Sequence, residues 1–78
     1  MSIEDARRRL SDLLIEQSRL KGEIDSTHAR WLSITNLGHS LRAHEIEHQN
    51  RVAVEYHILI HEYASVVMEI NSLVLLLS

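Results

Sequence analysis

The sequence predicts an all-α fold: a long antiparallel helical hairpin of coiled-coil type that pairs with a second copy into a four-helix bundle. Three observations lead there. The 78 residues include no proline and two glycines, too few breakers for a many-stranded sheet. Two apolar seams recur at alternating steps of three and four, the mark of packed helices. Between them lies one short stretch of turn and cap residues, Asn36-Leu37-Gly38-His39-Ser40.

The first seam reads Ile3, Ala6, Leu10, Leu13, Gln17, Leu20, Ile24, Thr27, Trp31, Ile34. Only Gln17 and Thr27 are polar, so one helix is expected over about residues 2–36. Ser2 suits an N-cap, and Glu4 and Asp5 favour the positive end of the helix dipole. A competing break at Asp25-Ser26-Thr27, after Gly22, would give three helices, but the heptad phase runs through it unbroken.

Gly38 is placed to end the first helix in a left-handed conformation, and Ser40 to cap the second. The turn is thus expected at about 37–39 and the second helix at about 40–77. The whole chain, 1–78, reads as a single helical-hairpin domain. A short turn makes the helices antiparallel neighbours. Facing residues would then carry numbers summing to about 76, with the firm core at the end bearing both termini.

The second seam is Val52, Tyr56, Leu59, Tyr63, Val66, Ile70, Leu73, Leu77. Beside it runs a further apolar row, Ala53, Ile60, Val67, Val74, and Leu73 to Leu77 are apolar without interruption. A face this broad exceeds what one neighbour buries. Left open, it is an aggregation liability. A second chain is the economical cover, with contacts expected at Leu59, Ile60, Val67, Ile70, Leu73, Val74 and Leu77. The same conclusion follows from size, since chains below roughly 70–80 residues commonly need a staple, and this one has no cysteine to form a disulfide.

Charge supports a partner on another chain. In the simple register Arg9 meets Glu69, whereas Glu16 approaches Glu62 and Glu23 approaches Glu55. Either some of these glutamates answer to basic groups elsewhere, or the register is shifted. The net charge of −3 and the lone cluster Arg7-Arg8-Arg9, flanked by acids, argue against nucleic-acid binding. No apolar signal region stands at the N-terminus. The most apolar window, Val66–Leu77, spans only about 18 Å of helix against a bilayer core of about 30 Å. The expected location is cytoplasmic, with no membrane contact.

Six histidines are present, and residues 44–48 read His-Glu-Ile-Glu-His. That matches the HExxH pattern in which two histidines one turn apart hold zinc and the glutamate acts as general base. The extended form would need glycine at position 51 and histidine at 54, where the chain has Arg51 and Val54. On a continuous helix Glu69 stands about 31 Å from His48, out of reach of a shared metal. His57 and His61 point to nearly the opposite side of the helix. A zinc site at His44 and His48 is therefore an alternative that needs a ligand from a second chain. A pH response of the histidines is another, since a free imidazole titrates near pH 6.5.

No glycine-rich phosphate loop, cysteine nucleophile or nucleophile elbow occurs. The expected function is non-enzymatic and cofactor-free: a homodimeric adaptor, assembly factor or inhibitor that binds a larger protein. The turn end, with Trp31, Leu37, His44 and His48, is the expected partner site, tryptophan being enriched in binding hot spots. Alternatives are a zinc protein or metallopeptidase-like site at His44-Glu45-His48, and a fragment of a longer coiled-coil scaffold.

Overall fold

The computed structural model describes residues 2–37 and 39–78 and contains two helices among them. Helix α1 spans Ile3–Thr35 and α2 spans Ala43–Leu77, packed side by side as an antiparallel hairpin 56 × 14 × 14 Å in extent. Helix α1 starts as its sequence dictates. Ser2 is extended at the cap, and its hydroxyl accepts from the Asp5 amide at 3.1 Å. Asn36 closes the helix by donating its amide to the Leu32 carbonyl. The left-handed cap expected at Gly38 lies outside the described residues.

Helix α2 begins later than expected, because its N-cap is Arg42 rather than Ser40. Glu45, three residues on, turns its carboxylate back to accept from the Arg42 amide at 3.0 Å. This is half of a capping box; the reciprocal half needs an acceptor that an arginine side chain does not possess. Leu41 and Ile46 occupy the positions of a hydrophobic staple, and Leu41 is half-buried. The cap and staple together place the helix start at Ala43.

The core follows the heptad. Ala6, Leu13, Leu20 and Thr27 are the buried residues of α1, each seven after the last, and Val52, Leu59, Ile70 and Leu73 are those of α2. Ala6, Leu13, Ile70 and Leu73 form one cluster, with Leu10, Val66 and Leu77 packed against it. The firmest apolar core therefore lies at the end bearing the termini. Thr27 is buried in mid-helix, so α1 passes through Asp25-Ser26-Thr27 without a break and the three-helix arrangement does not occur.

The longer connection shifts the register. Gln17 Nε2 lies 3.5 Å from the Tyr63 hydroxyl, where a three-residue turn would have placed Leu59. Near the turn, Gln49 donates to the Thr35 hydroxyl at 3.0 Å, so the first turn of α2 extends past the end of α1. His44 and His48, on that overhang, are exposed.

Candidate functional site

The hairpin has two unlike flanks. One is laced with charge. Arg9 donates through Nε and Nη2 to both oxygens of Glu69, at 2.9–3.1 Å. Arg19 bridges Glu16 and Glu23 along α1. Arg30 reaches Glu55 at 2.9 Å and donates to the buried Thr27 hydroxyl at 3.3 Å. The hydrogen bond from Arg19 holds the Glu16 carboxyl below its ordinary range, and Glu16 in turn raises the Arg19 guanidinium above its own. Glu16, Glu23 and Glu55 thus each find an arginine within their own chain. These three therefore need no basic group from a second copy.

The opposite flank is apolar and open. The row expected to be apolar beside the α2 seam is only partly covered: Ile60 is 38% exposed and Val74 48%. Next to it a second row stands farther out, with Val54 59%, Met68 70% and Leu75 76% exposed. Exposed Ala64 lies between the rows at mid-length. Where this flank nears the turn it opens into a cleft of about 270 Å³ lined by His28, Trp31, Ala53, Tyr56 and His57. The rings of His28 and His57 lie 5.9 and 6.0 Å from that of Tyr56. The register shift puts Trp31 beside Ala53 instead of the Ala43–Ile46 segment.

The molecule has a large surface for its mass. Its accessible surface is 5815 Å², whereas a compact monomer of its mass exposes roughly 4,850 Å². The excess of about 1,000 Å² follows from the elongated shape, 56 × 14 × 14 Å. An elongated pair of helices has no third element to lay across the apolar flank.

The residues singled out from sequence divide accordingly. Leu59, Ile70 and Leu73 are buried inside the hairpin, Leu77 and Val67 are half-buried, and Ile60 and Val74 present open surface. Trp31 is half-buried in the cleft; exposed Leu37, His44 and His48 do not line it. The structure does not gather these four into one site. Within His44-Glu45-His48, the glutamate is engaged at the helix cap and has His39 Nε2 at 3.7 Å. Among the described residues no group of three or more histidine or acidic side chains is placed to hold a metal ion.

Two features escaped the sequence reading. Glu45 was legible as an acid three residues after a cap, but the cap itself was an arginine, a poor cap type. The cleft arises only from the register of the two helices. Helix α2 is also long and apolar enough, by length and composition alone, to cross a membrane, and 17% of its most apolar window is buried. No protein-family model, curated protein or solved structure matches the chain.

Proposed function

We propose that this chain is a non-enzymatic protein–protein interaction module that works as a homodimer, two hairpins joined into a four-helix bundle. One observation carries the reading: an unpartnered apolar flank beside one where Arg9, Arg19 and Arg30 pair with glutamates of the same chain. Charges paired within a chain present no unmet partner, whereas an exposed row of valine, isoleucine, methionine and leucine loses free energy in water until it is covered.

In this reading the bundle is a rigid body that scaffolds or occludes a larger protein, as an adaptor, assembly factor or inhibitor in the cytoplasm. The overhanging first turn of α2 and Leu37, at the end away from the termini, form the face left for that partner. Sedimentation equilibrium of the full chain tests the dimer. A dimer mass at micromolar concentration is the expected result, and a stable monomer up to about 100 micromolar overturns it, since that leaves less than about 6 kcal/mol for association.

A further inference from the structure

We infer that the apolar flank of α2 packs antiparallel on the same flank of a second copy, with the two-fold axis at Ala64 and the cleft beside Trp31 receiving Val74 of that copy. This rests on the homodimer proposed above and specifies which surfaces meet and in what register. An isologous contact requires a surface to be complementary to itself under a two-fold rotation.

With the axis at Ala64, three rows come together. In the central row Ala64 meets its own copy, where a small side chain lets two backbones approach, and His57 lies level with Asn71, a hydrogen-bonding pair. The row nearer α1 sets Ala53 against Val74 and Ile60 against Val67. The outer row sets Val54 against Leu75 and His61 against Met68. Ala53 opposes the larger Val74, the most exposed leucine meets an exposed valine, and no Lys, Arg, Asp or Glu of α2 enters the contact.

The cleft supplies the independent observation. Its α2 wall is Ala53, Tyr56 and His57, the segment that the operation brings level with residues 71–75 of the copy. Val74, 48% exposed, is the side chain on the row facing that opening. The partner copy therefore completes the lining of a cavity that is open in the single hairpin. The same rotation brings Arg7 level with Asp25 of the copy, so like charges are not set side by side there.

Moving the axis to the middle of His57–His61 would gather four imidazoles into a zinc-like cluster. It would also place Val67 against Arg51 and Val74 against His44, stranding apolar surface on polar partners. The apolar pattern selects Ala64. A lipid surface is the competing occupant, given the apolar length of α2. Yet the same face carries His57, His61 and Asn71, polar groups that hydrocarbon leaves unpaired and a protein contact can satisfy.

The chain has no native cysteine, so single-cysteine variants report proximity cleanly. Ala64→Cys, at an exposed position, is expected to cross-link to itself through a short bis-maleimide, whereas Ser65→Cys, one residue on and facing away, is not. Ala53→Cys mixed with Val74→Cys is expected to cross-link, with neither variant doing so alone. Sedimentation equilibrium runs alongside. A dimer in which Ser65→Cys cross-links as well as Ala64→Cys, or the mixed pair fails, overturns the register and leaves the homodimer standing. A monomer that floats with anionic phospholipid vesicles assigns the flank to lipid and overturns both; a monomer that does not float also overturns both.

Discussion

Arg9 and Glu69, sixty positions apart in sequence, clasp the open end of the hairpin through two guanidinium nitrogens and both carboxylate oxygens. The pair sits beside the cluster of Ala6, Leu13, Ile70 and Leu73 and fixes the register where the apolar core is firmest. Both side chains remain about half exposed, so the geometry confers specificity more than energy. A double-mutant cycle with Arg9→Ala and Glu69→Ala is expected to give a coupling of about 0.2–1 kcal/mol that shrinks as salt is raised. A coupling that is absent at low salt would show that the clasp does not persist in solution.

Gly22 is a helix-interior residue of α1, and a methyl group added there meets nothing within 4 Å. Its flexibility therefore weakens the helix without serving a close contact. Gly22→Ala is expected to stabilise the fold by roughly 0.5–1 kcal/mol, through the entropy the unfolded chain no longer has to lose. Thermal unfolding followed by circular dichroism reads this as a rise in Tm. A fall would mean that the glycine accommodates a contact made only in the assembled protein.

These two cases also mark what the sequence made legible. The heptad alone located both helices and the buried set that includes Leu20, Leu59 and Leu73, because periodicity is a local property of the chain. It also foresaw the meeting of Arg9 with Glu69. It missed the start of α2, where Ser40 was the better cap by residue type but Glu45, Leu41 and Ile46 together favour Arg42. That error of three residues propagated, since hairpin register depends on loop length. Trp31 consequently joined Ala53, Tyr56 and His57 in a cleft no local pattern encodes. The shifted register also brought Arg30 within reach of Glu55, whereas Arg19 serves Glu16 and Glu23 along α1 itself, whatever the register.

Acidification tests the charged flank. Glu16 is held below the usual carboxylate range mainly by its hydrogen bond from Arg19. A carboxyl lowered in the folded state favours folding above its ordinary value of about 4.5, and that contribution fades as pH falls through the folded value. Between pH 7 and 5 this site therefore contributes no pH dependence. A carboxyl-carbon NMR titration is expected to place the Glu16 midpoint lower in the native chain than in Arg19→Ala. Equal midpoints would show that the arginine does not act on Glu16.

Two leucines separate the hairpin from its assembly. Leu20 is buried between the helices, whereas Leu75 is three-quarters exposed. Truncating Leu20 removes apolar contact and leaves a void, and Leu20→Ala is expected to cost about 2–5 kcal/mol. That loss belongs to each chain, so it appears at every protein concentration. Leu75→Ser touches no buried contact within the hairpin; if the flank is covered by a second copy, its effect falls on association alone. Unfolding of both variants by urea at 5 and 500 micromolar distinguishes these roles. The expected pattern is a native chain more stable at the higher concentration, a parallel shift for Leu20→Ala and, for Leu75→Ser, a loss of that concentration dependence. If Leu75→Ser instead destabilises equally at both concentrations, its side chain supports the hairpin itself, and the apolar flank loses its assignment as the meeting surface.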